Sequence, residues 1–258
     1  MIPCGRPAAP VKPVKLLAAV LLGFYAYAAI VGGLRVLTAD WSRVHSRLVA
    51  EIVPALVALV LGLAATRGFG LARPILRPFL AGAVAGLPAA VGLGIVVLLP
   101  GTDRTLAEEW PILALRVLLA QVLLEELLFR GVSLQRLDTH LPPRAAAVLA
   151  AAAFGLCHLG NLFFKELTAE RLVEVGVQVV VTSVLAFAPI LLVRRSGGVL
   201  WGAFTWHALL DLTILFPHAA DRPVAVIVGL VGALATVPAA WVAGRWVVSD
   251  PPLESSPR

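Results

Sequence analysis

An all-α bundle of about eight membrane-crossing helices, with both termini cytoplasmic, is the fold this sequence predicts. Three observations carry that reading. Of the 258 residues, 60% are hydrophobic and 14% charged, against about 45–50% apolar and about 25% charged in soluble domains. Apolar runs near the length of a bilayer span recur along the chain. No strand-like alternation breaks them up, and lipid leaves free backbone groups without partners, so helices are the spanning structure that fits.

The elements follow in order. Residues 1–14 form a Pro-rich basic tail, read as cytoplasmic, before the first run, Leu16–Val36. That run is longer than a usual signal-peptide core and about long enough to span, so it reads as an uncleaved helix. Cys4 precedes it and is not a lipoprotein cysteine. The later runs are Ile52–Thr66, Phe79–Leu99, Pro111–Arg130, Ala145–Leu159, Val173–Val193, Val199–Phe216 and Val224–Val248. The second and fifth fall short of the roughly 20 residues a span needs and are expected to extend into their polar flanks. Pro54, Pro88, Pro189 and Pro238 lie inside spans, which membrane helices tolerate. Gly82 and Gly86 make a G-x-x-x-G in the third span, read as a close helix contact. The transmembrane domain is 15–248, and 249–258 is a C-terminal tail.

Orientation comes from the basic residues. With the N-terminus inside, thirteen Lys and Arg fall on the cytoplasmic side, Arg130 at its edge among them, and seven outside, with Arg116 in a span. Arg35, Arg43 and Arg47 sit on the outer side against this trend. The outer segments also hold most of the acids, Glu51, Glu108 and Glu109 among them. Trp41, Trp110, Trp201 and Trp246 lie near span ends, where an interfacial belt belongs. The reading is a multi-pass protein of the cell membrane, in contact with lipid. The net charge of +6 is spread between apolar runs and forms no basic stripe with interleaved aromatics, which excludes nucleic acid as a partner. Two cysteines, Cys4 and Cys157, make no disulfide framework, and no C-x-x-C spacing exists.

Three polar clusters interrupt the apolar runs. In LLAQVLLEELLFRGV, Glu125, Glu126 and Arg130 lie in the fourth span. Charges inside a membrane cost about 2.5–3.5 kcal/mol each on insertion scales and mark function. Glu126 and Arg130, four apart, share a helix face and pair as a brace. Glu125 points about 100° away, beside Gln121 and Phe129, with no cation on its face; it is placed to act as a general base. In AAAFGLCHLGN, His158 follows Phe154 by four and precedes Asn161 by three. The fourth and fifth spans form a hairpin whose turn centres on His140–Pro142. Glu125 lies 16 residues before that centre and His158 17 after, at the same depth on antiparallel helices. In FTWHALLDL, His207 and Asp211 share a face of the seventh span, and a carboxylate beside an imidazole fixes its tautomer. Cys157 points off the His158 face. Thr182 and Ser183 lie in the sixth span with no basic partner and read as packing hydroxyls; Trp206 reads as packing or a pocket wall.

Taken in order, E-E-x-x-x-R at Glu125–Arg130, F-x-x-x-H at Phe154–His158 and H-x-x-x-N/D at His207–Asp211 resemble the CPBP family, also called the ABI or CAAX protease family. The resemblance covers about residues 110–216. It implies an intramembrane glutamic endopeptidase on a helical bundle. Glu125 and His158 would activate water, and His207 and Asp211 would fall where the family holds the oxyanion. Glu126, Arg130, Phe154 and Asn161 would support the site. It also implies a peptide or protein substrate, membrane-associated or prenylated. The best-understood relatives have asparagine at the last motif position. An ionised carboxylate cannot donate a hydrogen bond, so Asp211 is expected to orient His207, with His207 the donor. The site is expected to open toward the cytoplasm, because His207 lies about three turns from the inner segment Arg194–Gly198.

No cofactor is expected on this reading. The alternative enzyme is a zinc metalloprotease with Glu125, His158, His207 and Asp211 as ligands, although H-E-x-x-H is absent. A non-catalytic scaffold, transporter or immunity protein is the third reading, because intramembrane acids and histidines also mark ion pathways.

Overall fold

The computed structural model describes residues 12–66, 75–98, 114–164, 167–215 and 223–247. Cys4, most of the N-terminal tail and all of the C-terminal tail lie outside the described residues, as do Glu108, Glu109 and Trp110. The described residues are helical and contain no strand.

The helices are α1 Pro13–Leu37, α2 Arg43–Arg47, α3 Val53–Thr66 and α4 Leu76–Leu98. A fifth rod, α5 (114–138), follows, then α6 Pro143–Cys157 and α7 Ala169–Leu185. The last are α8 Phe187–Arg195, α9 Trp201–Leu215 and α10 Pro223–Ala243. Each apolar run is thus helical where described. Among the described residues, four stretches are long and apolar enough to cross a membrane: Pro13–Leu37, Pro143–Leu162, Ala169–Arg195 and Ile227–Val247; Leu76–Gly92 is a shorter apolar helix.

Two boundaries differ from the sequence expectation. The fourth run was expected to end at Arg130, but α5 continues to Asp138. Ser133, Leu134 and Leu137 are buried there, so Arg130 lies inside the bundle instead of at its cytoplasmic edge. The intervening Gln135 and Arg136 hide this extension from a hydropathy reading. The sixth run breaks at Ala186 into α7 and α8. Pro189 cannot donate to the carbonyl of Leu185 and crowds it, which opens the helix there.

α5 carries most of the site and is unusual. It winds as a π-helix over Val117–Leu123 and again over Glu126–Leu134, leaving Leu124 and Glu125 as a short α step between them. Such wide turns are rare and concentrate at functional positions. The two acids therefore sit where the helix changes its winding.

Small residues let the helices close on one another, as in lipid, where packing replaces hydrophobic drive. Gly82 and Gly86 of α4 face α9. A Cβ at Gly82 would collide with the carbonyl oxygen of Gly202, and one at Gly86 would lie 2.8 Å from Leu209 Cδ1. The G-x-x-x-G thus seats the helix that carries His207 and Asp211. Gly155 plays the same part between α6 and α7, against Ser183. One buried cluster joins Phe129, Phe154 and the alanines of α6; another joins Trp206 to alanines of α4 and α10.

The turn before α9 fixes its start. Gly197 and Gly198 have φ of 66° and 92°, values open to glycine at little cost. The Gly198 amide donates to Val193 O at 2.8 Å and Gly197 to Arg194 O at 3.3 Å, closing α8. Arg194 also grips Asp138 at 2.5 Å and Pro143 O at 2.7 Å, which ties the α5–α6 turn to the end of α8.

Candidate active site

His207 is the centre of the cluster. Its Nδ1 lies 2.8 Å from Glu126 Oε1. A carboxylate oxygen accepts, so Nδ1 carries a hydrogen and donates. On the other edge of the ring, Nε2 faces Asp211 Oδ1 at 3.5 Å and Glu125 Oε2 at 3.9 Å. One imidazole thus lies between carboxylates from α5 on both edges, with a third from its own helix. The side chains of Glu126, Arg130 and His207 are 0%, 1% and 5% exposed; Glu125 is 11% and Asp211 22% exposed.

Glu126 does two jobs. Its Oε1 also pairs with Arg130 Nη1 at 3.1 Å, the i,i+4 pair expected from the sequence. The bond to His207 is new, and it adds a second carboxylate to the ring that Asp211 faces. Glu126 holds the imidazole through Nδ1, and Asp211 faces the opposite nitrogen, so carboxylates bear on both edges of the ring. The two partners are 81 residues apart, and no spacing rule joins them.

Phe154 is the aromatic hub. The Arg130 guanidinium lies over its ring, 4.0 Å from the centroid. Edge contacts run from it to Phe129, His158 and His207, with ring centroids 5.3, 5.4 and 5.6 Å away. A cation on a desolvated aromatic face gains about 2 kcal/mol, which steadies a guanidinium that a carboxylate touches through one oxygen. Phe129 and Arg130 of α5 thus meet Phe154 of α6 here.

His158 ends α6. Its Nδ1 lies 3.1 Å from Phe154 O, which can only accept. That hydrogen bond puts the proton on Nδ1 and leaves Nε2 as the proton-accepting nitrogen. Two expectations change around this ring. Thr182 Oγ1, expected to lack a basic partner, lies 3.5 Å from His158 Nδ1, although its hydroxyl donates to Gln178 O at 2.8 Å. Cys157, expected to point away, has its Sγ 3.4 Å from the same nitrogen while donating to Phe154 O at 2.9 Å. Ser183 donates to Val179 O at 2.7 Å within its own helix. Trp206 is 1% exposed and packs in the α4–α9–α10 cluster.

Asn161 stands apart from the acids. Its Nδ2 donates to Gln178 Oε1 at 3.0 Å, so it links the end of α6 to α7 instead of supporting the carboxylates. Its three-residue distance from His158 was a poor guide because the chain leaves α geometry at His158 and continues as a tighter 3-10 stretch to Phe164.

A second charged cluster escaped the sequence reading. Glu51, 5% exposed, accepts from Arg35 Nε at 3.0 Å and pairs with Arg116 Nε. It joins α1, the π turn Leu48–Ile52 before α3, and the start of α5. Arg35 and Arg116 are held on this buried carboxylate, which accounts for an arginine on the side where basic residues fitted poorly. The available signal was a lone acid at the start of one apolar run and a lone arginine inside another.

Among the described residues, no group of three or more His, Cys, Asp or Glu is arranged to hold a metal ion. Cys157 is a free, buried thiol.

Residues 107–213, less than half of the chain, match the sequence model of the Rce1-like family, described as type II CAAX prenyl endopeptidase. No curated protein and no solved structure matches the chain. The matched segment begins before α5 and ends within α9, so it spans all three polar motifs. It supports a peptidase of the CAAX type in a membrane protein. That match, over a segment containing the three motifs, supports a likeness to the CPBP, or CAAX protease, family.

Proposed function

We propose that this protein is an intramembrane endopeptidase in which Glu125 and His158 activate a water molecule for attack on a peptide carbonyl. The single observation that carries the reading is the seat of His207. Glu126 holds its Nδ1 at 2.8 Å, which aims Nε2 at the space beside Glu125 and Asp211. A pre-oriented donor in a site shielded from water is what an oxyanion needs.

The steps use this chain's own residues. Glu125, whose neighbour Glu126 has taken up Arg130, removes a proton from water. His158 presents Nε2 to the same water, because its Nδ1 is committed to Phe154 O. The oxygen attacks the scissile carbonyl, and the developing oxyanion is met by His207 Nε2–H. The proposed substrate is a peptide or protein segment at or within the membrane, prenylated where the family's printed activity carries over. The proposed setting is a multi-pass protein of the cell membrane with the site open to the cytoplasm.

The test is cleavage of quenched peptides, farnesylated and plain, by protein purified in detergent and returned to lipid, with products identified by mass. One internal bond is expected to break, giving a new carboxylate and a new amine. His158→Ala is expected to slow cleavage by about 10²–10⁴-fold, the usual contribution of a positioned acid–base group. A scaffold or transporter gives no cleavage from the wild type, and an unchanged rate in His158→Ala removes that residue from the mechanism.

A further inference from the structure

We infer that Tyr25 of α1 is a positioning residue for His158, its phenol fixing the turn at the end of α6 that presents the imidazole to the site; this rests on the endopeptidase reading above. Three observations lead there.

The first is a hydrogen bond across the fold. The Tyr25 hydroxyl donates to Leu156 O at 2.7 Å, between residues 131 positions apart. Leu156 lies in the last turn of α6, where a helix leaves carbonyls without their usual partners. Within a membrane, water is not at hand to replace them. The phenol gives this carbonyl a partner from another helix.

The second is the seat of the ring. The Tyr25 ring stands against buried Gly160, where an added Cβ would lie 3.7 Å from Tyr25 Cδ1 and 3.8 Å from Ala28 Cβ. One side chain of α1 therefore bears on the chain just before His158, at Leu156, and just after it, at Gly160.

The third is what this turn does to the histidine. The chain leaves α geometry after Cys157 and continues as a 3-10 stretch over His158–Phe164. The His158 amide donates to Gly155 O, three residues back. In a continued α-helix it would donate four residues back, to Phe154 O. That carbonyl is left to side chains instead, and the His158 ring takes it through Nδ1 at 3.1 Å. The tight turn and the seat of the imidazole are thus one arrangement. Relaxing the turn returns the amide to Phe154 O, in competition with the ring.

Tyr25 acts through the backbone at Leu156, not on the substrate. It also lies outside the segment 107–213 that matches the family model, so the segment with the three motifs takes one fixed point from a helix beyond it.

The test uses the full chain reconstituted in lipid. Tyr25→Phe removes one oxygen and keeps the ring against Gly160. Thr236→Val is the control; it removes a buried hydroxyl that donates to Ala233 O at 2.6 Å in α10. Two readouts are taken. Leu156–Cys157 is the one Leu–Cys pair in the sequence, so carbonyl-labelled leucine with amide-labelled cysteine gives a single NMR signal for that peptide group. Peptide cleavage gives kcat and KM. In Tyr25→Phe the Leu156 carbonyl signal is expected to move upfield and KM to hold. Its kcat is expected to fall about threefold to tenfold, the rate equivalent of one hydrogen bond. Thr236→Val is expected to keep both the signal and kcat. An unmoved signal in Tyr25→Phe overturns the inference, because the bond is then absent. A moved signal with unchanged kcat, a loss confined to KM, or an equal loss of kcat in Thr236→Val overturns it too. Each of these leaves the endopeptidase reading standing. If the wild type cleaves no peptide, that reading falls and the positioning role falls with it.

Discussion

Replacing Glu126 by leucine exposes how much of the site rests on one buried oxygen. Glu126 Oε1 pairs with the Arg130 guanidinium at 3.1 Å and accepts from His207 at 2.8 Å, and neither Glu126 nor Arg130 has more than 1% of its side chain exposed. With so little solvent to compensate, the substitution strands a guanidinium and an imidazole N–H together. Removing one partner of a buried ion pair costs about 3–5 kcal/mol, and orphaning a buried donor adds about 1–3 kcal/mol. A loss of at least about 4 kcal/mol is therefore expected, read as unfolding free energy in an SDS or thermal titration of the reconstituted protein. The double variant Glu126→Leu with Arg130→Met removes both charges and is expected to recover most of that stability, since a buried pair often gives way to apolar residues of similar volume at little net cost. It is not expected to recover cleavage, because His207 still lacks its Nδ1 acceptor. A single-variant loss below about 1 kcal/mol, or a double variant with normal cleavage, would refute the reasoning.

Two further predictions concern the frame around the site. Gly82→Ala puts a Cβ into the carbonyl of Gly202 and is expected to cost about 1–3 kcal/mol by overpacking, whereas Gly176→Ala, with nothing within 4 Å, is expected to gain up to about 1 kcal/mol from helix propensity; equal melting shifts in detergent would deny α4 its part in seating α9. Phe154→Leu keeps most of the bulk but loses the ring edges to both histidines and the cation face, so kcat is expected to fall several-fold with KM nearly unchanged. A change confined to KM would instead make Phe154 part of the substrate pocket.

The bundle was legible from hydropathy because lipid demands long apolar helices, and each apolar run is helical where described. The end of α5 was not legible, because Ser133, Gln135 and Arg136 among buried leucines read as a cytoplasmic edge. The π winding on either side of Glu125 was not legible either, since it follows from packing and leaves no mark in residue spacing. Local rules found Glu126 with Arg130 and His207 with Asp211, because each pair is one helical turn apart. They could not find Glu126 with His207, nor Glu51 with Arg35 and Arg116, because those contacts join distant helices. Asn161 misled for a related reason: its neighbourhood in sequence pointed at the site, but the tighter winding after His158 turns it to Gln178.

The measurement that meets the central claim most directly is the cleavage rate of the reconstituted protein after exhaustive chelation, wild type beside Glu125→Gln, each with and without added zinc. The account predicts that chelated wild type retains its rate, that zinc adds nothing, and that Glu125→Gln loses about 10²-fold or more under every condition. Loss of wild-type activity on chelation with recovery on zinc, or a Glu125→Gln enzyme that cleaves normally, would contradict it.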